Sequence, residues 1–231
     1  MRQRELLKKV SIFADLDDAS LAKVERLFVE KQYPRDSVIV GQEDPGDSLF
    51  VVSRGKVKVV LYGGSGREVI LTMFKPGDFF GEMSLLDNQP RSANVIAVED
   101  SSLLVLERRA FAEHLETHPR TALTVLAEMS RRLRRADSII GNLALLDVFG
   151  RVARFLRELA RTEGEAVEGN VVIRQRPTQQ EIASMIGTSR ETVSRALSEF
   201  QRRGFLELSG KKIVLRSEFI REGDGDELLV R

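Results

Sequence analysis

The chain reads as an α+β protein with a β-rich front, one long amphipathic helix and a C-terminal winged helix-turn-helix. Three observations predict this. Residues 36–106 carry short apolar runs at even spacing with turn signals between them, the pattern of a sandwich or barrel. Residues 119–144 switch to apolar steps of three and four, the period of a helix. Residues 148–216 place helical stretches on either side of Gly187-Thr188-Ser189 and end in a short hairpin. A length of 231 residues suits two modest domains.

In the front region the runs are Val38-Ile39-Val40, Leu49-Phe50-Val51-Val52, Val57-Lys58-Val59-Val60 and Val69-Ile70-Leu71. Pro45-Gly46-Asp47, Arg54-Gly55, Gly63-Gly64-Ser65-Gly66 and Pro76-Gly77-Asp78 separate them. In the helix, Leu126, Met129, Leu133, Ala136, Ile140 and Leu143 form an a/d seam. Arg131, Arg132, Arg134, Arg135 and Asp137 fill its other faces. A narrow seam with charged flanks predicts a two-stranded coiled coil, hence a homodimer. The alternative is a helix packed on its own domain.

The chain has no cysteine, which excludes disulfides, iron–sulfur clusters and thiol catalysis. It shows neither a charged-then-apolar leader nor eighteen consecutive apolar residues, so a cytoplasmic protein is expected. Net charge is +1, unevenly spread. Residues 145–216 carry 13 Lys/Arg against 9 Asp/Glu, and the last fifteen residues carry 2 against 5. A basic module before an acidic tail hints at a polyanionic partner.

The stretch 178–208 sharpens that hint. With Arg190 at zero on a helical wheel, Ser194 falls at about 40°, Glu191 at about 100° and Arg195 at about 140°. Val193, Ala196, Leu197 and Phe200 take the opposite arc. One face is core, and the other carries the groups that read base edges: Arg for guanine O6 and N7, Glu for cytosine N4. Leu206, Leu208, Ile213 and Leu215 around Ser209-Gly210 predict the wing. A solvated charged face is the bland alternative; the preceding glycine turn, helix and wing favour DNA reading.

A second stretch, "GEMSLLDNQPRSANV" at 81–95, interrupts an apolar region with Glu82 and Arg91. Either the two charges pair with each other, or together they hold a group that is not protein. His114 and His118, four apart, form at best half a metal site; no third ligand is evident, and surface positions near a helix end are the plain expectation. Pro119 is expected to break the helix there. Asp15, Asp17, Asp18 and Asp147 suit helix caps and loops. Glu43 and Asp44 lack a nucleophile with an oriented base, so no catalysis is expected.

Over residues 12–216 the chain resembles the family of the cyclic-AMP receptor protein and the fumarate–nitrate reduction regulator. "FGEMSLLDNQPRSANV" resembles the phosphate-binding cassette of that family, "GNLALLDVFGRVARFL" its hinge and following helix, and "SRETVSRAL" its recognition helix. The resemblance implies a cyclic-nucleotide-binding β-roll (jelly roll) over 1–118, a dimerisation helix and hinge over 119–146 and a DNA-binding winged helix over 147–217. An acidic tail over 218–231 completes the chain. It implies that Gly81 and the backbone of Met83 and Ser84 face the cyclic phosphate. Arg91 and Ser92 bond its oxygens, and Glu82 accepts from the ribose 2′-hydroxyl. It assigns base reading to Arg190, Glu191 and Arg195, with half-sites of the TGTGA type. Ser194, Ser189, Thr178, Gln179, Lys211 and Lys212 complete the expected DNA contacts.

One departure stands out. Ala136 and Asp137 occupy the positions that meet the adenine base in the receptor branch, where small hydroxyl or amide residues stand. The departure leaves the identity of the base open. The expected ligand is cyclic AMP, with cyclic GMP, cyclic di-GMP, another effector or none as alternatives, and no metal. The expected partners are double-stranded DNA, a second copy and RNA polymerase, the last through residues 165–172, where family members make that contact. A nucleotide-binding scaffold without DNA function is the competing class.

Overall fold

The computed structural model describes residues 3–64 and 66–221, with only the backbone for Arg221. The described residues divide into two compact units, one up to Leu133 and one from Arg134 onward. The first opens with α1 (Gln3–Leu7), a 3-10 turn (Ser11–Phe13) and α2 (Asp18–Glu25). Asp17 caps α2 by accepting from the Ser20 amide at 2.7 Å.

Eight strands follow: β1 (Val29–Tyr33), β2 (Val38–Val40), β3 (Ser48–Arg54), β4 (Val57–Tyr62), β5 (Glu68–Phe74), β6 (Phe79–Phe80), β7 (Asn94–Ala97) and β8 (Ser101–Glu107). The helix α3 (Glu82–Asp87) lies between β6 and β7. The strands form two antiparallel four-stranded sheets, ordered β1-β8-β3-β6 and β2-β7-β4-β5, as expected of a jelly roll.

Strands β3 and β8 explain why the apolar runs are continuous rather than alternating. Phe50, Val52, Leu103 and Val105, with Phe80 of the same sheet, enter a core with Val40, Val57 and Val95 of the facing sheet. Leu49, Val51, Leu104 and Leu106 enter a second core with Phe13, Leu21 and Phe111 from the flanking helices. A strand covered on both faces keeps apolar residues at every position.

Helix α4 (Arg108–Thr117) ends at His118, and Pro119 opens α5 (Pro119–Leu145), where its missing N–H costs nothing. The expectation of two surface histidines needs correcting. His114 is 4% exposed, its Nε2 lies 3.2 Å from the Thr121 hydroxyl, and its ring stacks on His118. Burial, with the His118 charge adding, pushes its pKa down to about 4. Among the described residues no cluster of three metal-ligating side chains occurs.

Of the seam residues on α5, Leu126, Leu133 and Ile140 are 59–64% exposed and Leu143 is 49% exposed. Leu123, one step N-terminal, is 66% exposed and extends the stripe. Met129 departs from expectation, because it packs against the helix-flanked core of its own unit. Buried Val125 lies on the same side, one turn earlier.

The second unit continues with α6 (Val148–Glu163), β9 (Glu165–Val167), β10 (Asn170–Ile173), α7 (Gln179–Ile186), α8 (Arg190–Arg202), β11 (Leu206–Ser209), β12 (Lys212–Leu215) and α9 (Ser217–Arg221). Asp147 caps α6 through the Gly150 amide at 2.7 Å. The four strands form one sheet ordered β11-β12-β10-β9. Residues 218–221 belong to this unit rather than to an acidic tail. Phe219 is fully buried in the winged-helix core, its carbonyl accepts from Arg157 at 2.8 Å, and that guanidinium lies over its ring. The rest of the expected tail, 222–231, lies outside the described residues.

Candidate ligand cassette and nucleic-acid interface

Three close approaches build the cassette. Gly81 follows β6 and caps α3 with φ +89°, and a Cβ there would meet Arg91 Nη1 and the Ser48 carbonyl, each at 2.8 Å. Glycine is therefore required both by the left-handed backbone and by the space. Gly46, in the β2–β3 loop, is packed as tightly: its Cβ would lie 2.2 Å from that of Ser84 and 3.2 Å from Arg91 Cζ. The Arg91 backbone is clamped to the same loop, its N–H donating to Asp44 O and its carbonyl accepting from Glu43 N, both at 2.9 Å.

Arg91 is 5% exposed. Its Nη1 donates to Gly81 O at 2.9 Å and its Nη2 to Ser48 O at 2.8 Å, and the guanidinium lies over the Phe50 ring. No carboxylate among the described residues comes within ion-pair distance of it. Burial works against its charged form; the fields of Asp47, Glu82 and Asp44 favour that form, and Arg108 opposes it. A cation held dry on neutral carbonyls attracts an anion strongly.

Glu82, the first residue of α3, is 1% exposed. The simple ion pair with Arg91 does not form. Glu82 Oε1 instead accepts from Arg132 Nη1 of α5 at 2.8 Å, and its Oε2 is buried without a hydrogen-bond partner. Arg132 also donates to Phe79 O at 2.7 Å and stacks over the rings of Phe79 and Phe74. Burial pushes the Glu82 carboxyl up, with the Arg132 charge pulling the other way. Ser84 is buried, while Met83 and Ser92 are exposed. Ala136 and Asp137 are exposed on α5 in the second unit.

Sequence reasoning had placed Arg132 on a charged outer face. A usable signal was present: Arg132 follows Met129 by three and Val125 by seven, so it shares their inward-facing stripe.

The helix-turn-helix is set by two caps. Thr178 and Glu181 form a reciprocal capping box on α7, so the Thr178 hydroxyl is engaged there, and Gln179 is half-buried beside it. Gly187 terminates α7 with φ +70°, and Ser189 caps α8 through the Thr192 amide at 3.2 Å. Val193, Ala196, Leu197 and Phe200 face the core. Arg190, Glu191 and Arg195 are exposed and Ser194 is half-buried. The Glu191 carboxyl is held low by its own backbone N–H and then by the Ser189 hydroxyl, which keeps it an acceptor. In the wing, Lys211 and Lys212 project from the β11–β12 turn. Arg176 fastens that turn, its amide donating to Lys211 O at 2.9 Å and its Nη2 to Gly210 O at 3.2 Å.

Comparison with known proteins agrees with both halves. Residues 30–118 match the cyclic nucleotide-binding domain and residues 150–218 the Crp-like helix-turn-helix domain. The chain belongs to the Crp/Fnr family of cyclic-nucleotide-binding, DNA-binding transcription regulators. It is 33% identical over 211 residues to the CRP-like cAMP-activated global transcriptional regulator of Mycobacterium tuberculosis, covering 91% of this chain and 94% of that one. It is 36% identical over 195 residues to the cyclic AMP receptor protein of Thermus thermophilus, covering 84% and 87%. Among solved structures, the c-di-GMP-responsive global regulator CLP of Xanthomonas campestris superposes with a TM-score of 0.74 at 26% identity, covering 87% of this chain and 99% of that one. No described helix is long and apolar enough to cross a membrane.

Proposed function

We propose that this protein is a cytoplasmic, homodimeric transcription regulator that binds cyclic AMP in its β-roll and a palindromic TGTGA-type operator through α8. The carrying observation is a pair of unmet polar demands in one short stretch. Among the described residues Arg91 is a buried cation without a carboxylate partner, and Glu82 Oε2 is a buried acceptor without a donor. A cyclic phosphate supplies the anion and a ribose 2′-hydroxyl supplies the donor. Arg132 bonds Glu82 from α5, so a ligand that engages Glu82 acts on the same ion pair that anchors the helix. The exposed leucine stripe of α5 supports the dimer. Arg190, Glu191 and Arg195 support direct readout, and the hairpin at 165–172 is the candidate contact for RNA polymerase.

Cyclic di-GMP is the second reading, favoured by the CLP likeness and by the lack of a side-chain hydroxyl at Ala136. Titration calorimetry of cyclic AMP, cyclic GMP and cyclic di-GMP against wild type and Arg91→Ala tests both. Cyclic AMP should give saturable heat that Arg91→Ala weakens about a hundred-fold or more, the loss of a charge-assisted pair of bonds. Heat with cyclic di-GMP alone replaces the first reading with the second.

A further inference from the structure

Arg108, the first residue of α4, was singled out by no motif, yet its guanidinium bridges three backbone carbonyls. Nη1 donates to Leu85 O at 3.2 Å, and Nη2 donates to Ser84 O at 3.0 Å and to Gly46 O. Its backbone N–H donates to Asp47 O at 2.7 Å. One half-buried side chain therefore ties α3 to the β2–β3 loop, and both to α4.

These are the two segments whose separation sets the cassette. Gly46 stands against both Ser84 and Arg91, with no room for a methyl group. A shift of the loop by a few tenths of an ångström would move the Arg91 guanidinium, because the Arg91 backbone is bonded to Asp44 and Glu43 of that loop. A guanidinium fork suits this task. Its donors diverge in a fixed plane, so carbonyls from separate segments are held at fixed distances, which a single ammonium cannot do. Its charge also strengthens each of these bonds over a neutral one.

We propose that Arg108 is a positioning residue for the anionic end of the ligand, fixing Ser84 and Arg91 at the spacing a cyclic phosphate needs. The inference rests on the nucleotide reading above. Arg108 does not touch the ligand in this scheme; it acts through Gly46, Ser84 and Arg91. Rigid support of first-contact groups by an outer layer of hydrogen bonds is what converts correct residues into an accurate site.

The test is calorimetry on the full-length chain with cyclic AMP and its Rp and Sp phosphorothioate diastereomers, comparing wild type with Arg108→Gln. The diastereomers differ only in which exocyclic phosphate oxygen is replaced, so their affinity ratio reports the placement of donors around the phosphorus. Arg108→Gln should lower cyclic AMP affinity at least about ten-fold, the equivalent of one charge-assisted hydrogen bond. It should also bring the Rp/Sp ratio toward one, whatever change in melting temperature accompanies it. A role limited to stability would leave that ratio unmoved. Should the Gln variant fail to fold, Arg108→Lys, which keeps the charge and loses the fork, serves the same comparison and should move the ratio in the same direction. A wild type that binds the nucleotide, with variants unchanged in affinity and ratio, overturns the role of Arg108 alone. A wild type that binds no cyclic mononucleotide overturns the nucleotide reading and this role with it.

Discussion

Replacing Arg132 with Met exposes the electrostatics of Glu82. Met fills much of the same stem volume but removes the 2.8 Å bond to Glu82, the 2.7 Å bond to Phe79 O, the 3.3 Å ion pair with Glu128 and the contacts with two aromatic rings. Removing one partner of a buried ion pair costs about 3–5 kcal/mol, because the other charge stays buried. Glu82 is 2% exposed at its side chain but Arg132 is 28% exposed, so the lower end, about 3 kcal/mol, is the expectation. For a unit of this size that is a fall of roughly 10 °C in melting temperature.

The pH dependence gives the stricter check. Burial already holds the folded-state Glu82 carboxyl above the ordinary glutamate value of 4.5, so the folded chain binds this proton more readily than the unfolded chain. Stability from this group is therefore greatest at low pH and is lost as pH rises through the folded value. Without Arg132 the folded value climbs further and the window widens upward. Thermal melts of Arg132→Met should show a deficit that is large at pH 8 and shrinks toward pH 5, and a second change, Glu82→Gln, should remove the pH dependence. A deficit of the same size at both pH values, or one insensitive to Glu82→Gln, would refute the reasoning.

Three further outcomes follow from the geometry. Glu at both Leu133 and Ile140 places like charges along the exposed stripe, so sedimentation should report a monomer and operator affinity should collapse. Arg190→Ala should cost about 1–3 kcal/mol and relax preference at one guanine, whereas Lys211→Ala should weaken all sequences alike and flatten the salt slope; anisotropy titrations across site variants and salt separate the two. Gly46→Ala drives a methyl group into Ser84, so the fold should lose about 1–3 kcal/mol by overpacking, read as a lower melting temperature, and cyclic AMP affinity measured by calorimetry should fall as Ser84 and Arg91 are pushed apart.

The parts legible in sequence are those whose signal is local. The core and outer faces of α8 could be read because Val193, Ala196, Leu197 and Phe200 recur at helical spacing, with the turn glycine and N-cap just before them. The cassette glycine, acid and base were legible as a stretch, but their partners were not. Arg108 bonds carbonyls 62, 24 and 23 positions away, and a carbonyl leaves no mark in the sequence. Glu82 finds Arg132 fifty positions on, across a helix whose charged residues look alike until Val125 and Met129 define the inward side. Strand β1, "VEKQY", was missed because its side chains stay mostly exposed at a sheet edge, so the alternation that marks a half-buried strand never develops. His114 looked like a surface residue because polarity alone argued for exposure. Thr121, just past the helix break, supplies the hydrogen-bond partner that lets it be buried.

The most direct test of the account couples the two ends of the chain. Fluorescence anisotropy of a palindromic TGTGA-type duplex, titrated with full-length protein at fixed physiological salt, should show at least about ten-fold tighter binding with saturating cyclic AMP than without, within the usual range of an allosteric coupling. The gain should vanish in Arg91→Ala and on a scrambled duplex. Equal affinity with and without cyclic AMP, in a protein that calorimetry shows to bind it, would contradict the claim that the cassette gates DNA recognition.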